Sequence, residues 1–187
     1  LELSGGDLDL GLVGGYVEGC AVLVEFGTDD RERSWWILPP GAGVADVTPQ
    51  TPLDGTASVS HVTLSGVAVE DLVELGDGTF VAGLLSAALA AYQSGVTRWA
   101  LDTAVEYAKV RTQFGVPIGS FQAIQHRMAD LLTEVEQARS AVWNLAGNLD
   151  TPDRDRHVAA TKSLVGRVAL YVAEETIQLH GGIGMTE

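Results

Sequence analysis

Over roughly the first third of the chain, apolar residues come in short bursts separated by turn-formers. Ala21–Phe26 (AVLVEF), Ser34–Pro39 (SWWILP) and Val59–Val69 (VSHVTLSGVAV) are β-branched or aromatic, and GTDD, PPGAG, PLDG and SG bound or interrupt them. Runs of this kind, cut by Gly, Pro and Asp, predict the strands of an antiparallel sheet. In the third run, alternation puts Val62 and Leu64 on one face, with Val67 a further candidate for it, the mark of a half-buried strand.

From about Thr79 the period changes. Phe80, Leu84, Ala88, Ala91 or Tyr92, Val96, Trp99 or Ala100, Thr103, Tyr107 and Val110 recur at three- and four-residue steps, which predicts one long helix. Small residues crowd its first half and point to close helix approach. Pro117 and Gly119 break the pattern. A second helix carries Ile124, Met128, Leu131, Leu132, Val135, Val142 and Leu145 on one stripe and ends near Gly147 and Asn148. Thr151 is the expected N-cap of a third, with Pro152 at its first position and Asp153 and Asp155 in its acidic first turn. Val158, Leu164 or Val165, Val168, Val172 and Ile177 form its stripe, and the glycines of His180–Gly184 stop it. Strands followed by helices argue α+β. The expected architecture is an antiparallel β-domain, residues 1–75, followed by an up-down α-helical bundle, residues 76–187. Three helices leave apolar faces that need further chain or other subunits.

Composition narrows the function classes. Apolar residues make up 46% of the 187, enough for a sizeable core. With 11 Lys plus Arg against 25 Asp plus Glu, the net charge of −14 argues against general nucleic-acid binding, which needs a basic footprint. Cys20 is the one cysteine, so neither an intrachain disulfide nor a CxxC site is possible. That fits a reducing cytoplasm, the expected location. No signal peptide opens the chain, and no run reaches about 18 apolar residues, so no membrane span is expected. Four histidines without paired spacing argue against a metal site. GxSxG and P-loop motifs are absent from the sequence.

Two stretches carry candidate chemistry. The first, YAKVRTQFGVPIGSFQAIQHRMADLL (Tyr107–Leu132), packs Arg111, Gln113, Phe114, Gly115, Pro117, Phe121 and Gln122 into one helix-to-helix connection. Arg111 reads as a solvated cation at a helix C-terminus, or as a planar guanidinium that grips phosphate. The amides of Gln113 and Gln122 and the rings of Phe114 and Phe121 would suit a nucleotide with a diphosphate and an aromatic base. The second stretch is QLHGGIGMTE (Gln178–Glu187). Gly181 and Gly182 read as a helix stop, or as bare backbone against which a flat or phosphorylated ligand lies. His126 with Asp130 resembles a base and its orienter, although a packed or capped histidine is the plainer reading. His61 and His157 stand alone. Glu106, Glu134, Glu136, Glu174 and Glu175 read as solvated helix faces, and Trp35-Trp36 as packing.

The two stretches, in this order and separation, resemble the acyl-CoA dehydrogenase family, its helical C-terminal domain in particular. WILPPGAGVADVTPQTPLDGTASVSHVTLSGVAV resembles the closing strands of the family's middle β-domain. The resemblance implies FAD held between subunits and oxidation of an acyl-CoA thioester to the trans-2-enoyl-CoA. A catalytic Glu removes the α-proton as a hydride passes to the flavin. By position, Arg111, Gln113, Phe114 and Gln122 resemble contacts to the FAD diphosphate and adenosine of a neighbouring subunit, and Gln178, Leu179, His180, Gly181 and Gly182 the loop on the cofactor's other side. The family further implies a homo- or heterotetramer and an electron acceptor such as an electron-transfer flavoprotein.

Departures from the family pattern are specific. The helical domain that precedes the β-domain in full members has no counterpart here, nor has the flavin-contacting stretch. The catalytic Glu of most members would fall beyond Glu187. At the position where some members place the base instead, this chain has Leu85, followed by Ser86. The catalytic residue is therefore unassigned. Two alternatives stand beside the dehydrogenase reading: a non-catalytic subunit completing the FAD site of a heteromeric enzyme, and a flavin oxidase or monooxygenase on the same scaffold.

Overall fold

The computed structural model describes residues 8–14, 21–26, 34–40, 43–52, 54 and 56–185. Cys20 and the GTDD turn lie outside the described residues. The chain divides into two compact units, Leu1–Val81 and Ala82–Glu187.

The first unit is built from two three-stranded antiparallel sheets. β1 (Leu8–Gly14), β4 (Val44–Gln50) and β5 (Val59–Leu64) make one, with β5 central. β2 (Val22–Phe26), β3 (Ser34–Leu38) and β6 (Val73–Asp77) make the other, with β3 central. Alternation along β5 is the predicted one: Ser60, Val62 and Leu64 are buried, their neighbours less so. Val22, Val24 and Leu38 from one sheet join Val62 and Leu64 from the other in a single core, and Val67 packs against it. The strand is shorter than the sequence suggests. It ends at Leu64, and Gly66, at φ 67°, follows as a bend.

The second unit holds α1 (Gly78–Val110, whose first residues belong to the first unit), α2 (Gln122–Ala146) and α3 (Arg154–His180). Side-chain pairs give their directions. Arg127 bonds Glu175, Arg167 bonds Glu134, and Thr161 bonds the Ala141 carbonyl, so α2 and α3 run antiparallel. Gln93 with Lys162, Ala100 with Thr176 and Tyr107 with His180 rise together, so α1 runs parallel to α3. The result is the expected up-down bundle. Its core joins Leu131, Val135 and Ala138 of α2 to Val165, Val168, Val172 and Leu179 of α3.

Two local expectations fail. α3 starts at Arg154, not Pro152. The Thr151 hydroxyl bonds back to the Asn148 carbonyl at 2.9 Å, so it caps the preceding turn rather than the helix ahead. More consequential, the stripe read along α1 is largely not its packed face: of the residues read onto it, Ala100, the alternative to Trp99, is the one in the core. Ala90, Ala100, Leu101 and Ala104 enter the core, while Tyr92 (71% exposed), Trp99 (68%), Leu84, Leu85, Leu89 and Val96 stay outside. Alanines fill gaps between α1 and the other helices at little entropic cost, leaving the bulky apolar residues on the far side. By length and composition α1 is also apolar enough to cross a membrane, a property that follows from carrying apolar residues on both faces.

Candidate functional site

The connection between α1 and α2 is a miniature hairpin. The Arg111 amide makes the last helical bond of α1, donating to the Tyr107 carbonyl at 2.9 Å. β7 (Thr112–Gln113) then pairs antiparallel with β8 (Val116–Pro117), Gln113 opposite Val116. Phe114 (φ 54°) and Gly115 (φ 82°) form the two-residue tip. Positive φ at both central positions is the type I′ geometry that matches strand twist. Glycine adopts it freely, whereas a phenylalanine there is strained. Phe114 is 94% exposed, with one aromatic contact among the described residues, an edge-on approach to Phe121 at 6.2 Å. The hairpin is anchored on α1 through Gly119, where a Cβ would come within 3.0 Å of the Ala108 carbonyl oxygen.

All of Arg111 to Pro117 is exposed. Among the described residues no carboxylate lies in ion-pair range of Arg111, whereas nearby Lys109 is held by Glu106 at 2.6 Å. Gln113 spends its amide N–H on the Thr112 carbonyl at 2.9 Å. Gln122 opens α2, and Phe121 at the N-cap position supplies no side-chain acceptor. The Phe121 amide bonds the Ile118 carbonyl and the Ile124 amide the Phe121 carbonyl, which leaves the amides of Gln122 and Ala123 for an acceptor from outside the helix. Among the described residues, a guanidinium and a carboxamide without partners beside an uncapped helix N-terminus make this a surface suited to an anion.

The second stretch closes α3. Gln178 is exposed, but Leu179 is 7% exposed and lies in the bundle core, so it offers a ligand only its main chain. His180 Nδ1 lies 2.7 Å from the Thr176 carbonyl oxygen. A carbonyl only accepts, so Nδ1 carries the proton, and in the neutral ring Nε2 is left as an acceptor. Gly181, at φ 62° and ψ −138°, adopts a conformation reserved for glycine. The tight turn Gly181–Met185 follows, and at Gly184 a Cβ would meet the Ile177 carbonyl oxygen at 2.8 Å.

The fold brings the two stretches together through Tyr107. Its ring stacks on His180 with centroids 4.3 Å apart and planes 25° from parallel, and its hydroxyl donates to the His180 carbonyl at 3.4 Å. The sequence reading placed Tyr107 only in a helix stripe. No spacing rule links residues so far apart. The remaining candidates are not assembled. His126 and Asp130 are exposed and not bonded to each other, and His157 pairs with Asn144 at 3.1 Å. Among the described residues, no group of three His, Cys, Asp or Glu is placed to hold a metal.

Comparison with known proteins identifies the class to which this α+β chain belongs. Residues 86–187 match the model for the acyl-CoA dehydrogenase C-terminal domain. The chain belongs to the acyl-CoA dehydrogenase family. It is 36% identical over 158 residues to acyl-CoA dehydrogenase FadE34 of Mycobacterium tuberculosis, covering 83% of this chain and 22% of that protein. To acyl-CoA dehydrogenase IpdE2 of the same organism it is 50% identical over 99 residues, 52% of this chain and 30% of that protein. Among solved structures, the ChsE4-ChsE5 complex from M. tuberculosis superposes with a TM-score of 0.79 at 30% identity, over 99% of this chain and 52% of the matched one. The chain thus spans about half or less of each of these relatives.

Proposed function

We propose that the chain supplies one wall of an FAD site in an enzyme that oxidises an acyl-CoA thioester to the trans-2-enoyl-CoA. The observation that carries this reading is the exposed hairpin, where a guanidinium without an ion pair, an open carboxamide and an uncapped helix N-terminus stand beside a bare aromatic ring. FAD, when bound, would supply the hydride acceptor. The residues present fit it: Arg111 and the first amides of α2 suit its diphosphate, and Phe114, Gln113 and Gln122 its adenosine. Gly181 and Gly182 allow a flat ligand to approach the main chain at the end of α3. Because these groups lie on open surface rather than in a cavity, a second wall from another subunit would complete the site and exclude water. The first unit would take the place of the family's middle β-domain.

This wall binds and orients; it does not remove the α-proton. Leu85 is an aliphatic residue on the outer side of α1, so the base must come from another position. That leucine favours a second reading, in which this chain completes the cofactor site of a heteromeric dehydrogenase whose other subunit carries the base. Two measurements test the pair of readings. Arg111→Ala and Gln122→Ala should each weaken FAD binding, measured by quenching of flavin fluorescence; unchanged affinity for both would refute the cofactor wall. Isolated alone, the protein should either turn over acyl-CoA with an artificial dye or bind FAD without turnover. An active homo-oligomer excludes the second reading.

A further inference from the structure

We propose that Tyr107 is a positioning residue that sets the spacing between the two loops of the cofactor wall, an inference that rests on the FAD reading above. Three contacts converge on it. Its carbonyl accepts the Arg111 amide at 2.9 Å, so its backbone defines where α1 stops and the hairpin begins. Its ring lies on His180, the last residue of α3. Its hydroxyl reaches the carbonyl of that same residue, directly before the constrained Gly181. His180 is in turn held by Thr176, whose hydroxyl reaches back to the Ala100 carbonyl at 3.4 Å, so the contact closes a loop between α1 and α3.

Core packing holds α1 and α3 together up to Ala108 and Leu179, and their last residues lie at its edge. Val110 and Ile177 are exposed, and the last buried positions of α1 and α3 are Ala108 and Leu179. Next to these two positions, the Tyr107–His180 stack joins the two helix ends through side chains. A ligand that touches both Arg111 and Gly181–Gly182 needs them at a fixed separation, because misplacing one donor forfeits its bond. Tyr107 does not touch the ligand in this scheme; it acts through Arg111 and His180, which it holds in the two loops.

The test uses Tyr107→Leu, Tyr107→Phe and His180→Ala, with Arg111→Ala as the reference for the site itself. Tyr107→Leu should weaken FAD binding about fivefold, the factor that one aromatic contact is worth, and Tyr107→Phe, which keeps the stack, should restore most of it. Hydrogen exchange should accelerate in Gly181–Met185 and Arg111–Pro117 while the amides of Leu131 and Val135 stay protected, a local signature that general destabilisation does not produce. Combined with Arg111→Ala, the loss should be less than additive, since both remove the same productive geometry. If Tyr107→Leu fails to fold, His180→Ala removes the stack from the other side and is read in the same way. Normal FAD affinity in Tyr107→Leu alongside weakened affinity in Arg111→Ala overturns the proposal. If Arg111→Ala is also without effect, the cofactor reading has failed, and unchanged exchange in Gly181–Met185 then overturns the positioning role by itself.

Discussion

Substituting leucine for Ala104 should unfold the bundle at a markedly lower temperature, whereas the same change at Ala88 on the same helix should do little. Ala104 is fully buried and belongs to the helical core, whereas Ala88 is exposed. Leucine adds three carbons. In a packed interior, extra methylenes force neighbours off their rotamers at about 1–3 kcal/mol, and three at a site with no free surface belong at the upper end. The intrinsic helix preference of alanine over leucine adds only a few tenths. For a unit of about 100 residues each kcal/mol moves the midpoint by roughly 4–8 °C, so Ala104→Leu should lower it by about 10–20 °C. Ala88→Leu should stay within about 0.5 kcal/mol. Thermal melts followed by far-UV circular dichroism, at matched protein concentration, measure both. The three- and four-residue stripe contains Ala88 and not Ala104. A larger loss at Ala88 than at Ala104 would show that the stripe is the packed face after all and would refute this account of α1.

Further outcomes follow from the hairpin and the β-unit. Phe114→Asn should stabilise the free protein by about 0.5–1 kcal/mol in chemical denaturation, because asparagine tolerates the left-handed tip that strains phenylalanine, while FAD affinity falls. Gly119→Ala should destabilise by about 1 kcal/mol and accelerate amide exchange in the hairpin, since its Cβ would meet backbone rather than a movable side chain. Asp54 accepts bonds from the Thr56 hydroxyl at 2.7 Å and the Thr56 amide at 2.9 Å, which hold its carboxyl below the ordinary value of 3.8. A depressed carboxyl stabilises its turn above the ordinary pKa, and that stabilisation is lost as pH falls through the folded value. NMR titration should show Thr56→Val moving Asp54 partway back towards 3.8, because the amide bond remains.

Helix number, strand texture and the two candidate stretches were legible from local pattern, because each rests on short-range spacing or on a turn residue in place. α2 and the middle of α3 packed as their stripes indicate. β1, β4 and β6 were missed, and for β4 and β6 the reason is physical. VADVTPQ and VELGD are edge strands with Pro49, Asp46 and Gly76 in them, and edges tolerate residues that central strands reject. α1 misled because it is apolar on two sides, and periodicity marks the bulky side rather than the packed one. The type I′ hairpin was concealed by Phe114, since asparagine or aspartate before Gly115 would have announced it. Arg111 and Gln122 stand out by residue type alone. Tyr107 emerges only when α1 and α3 are side by side, because nothing local distinguishes it from any other aromatic residue on a helix.

Strand order in the first unit has a consequence for how the chain acquires its structure. Leu8 lies opposite Leu64, and Ser34 opposite Asp77, so neither sheet is complete until residues from β5 and β6 are available. α2 and α3, by contrast, meet across a short connection and share most of their core with each other. Ordering a long intervening loop before any contact rewards it is slow, whereas neighbouring helices close quickly. Pulse-labelled exchange during refolding should therefore show protection arising first in Leu131, Val135, Val165 and Val168, and last in β1. The part of the chain that is made first would be finished last.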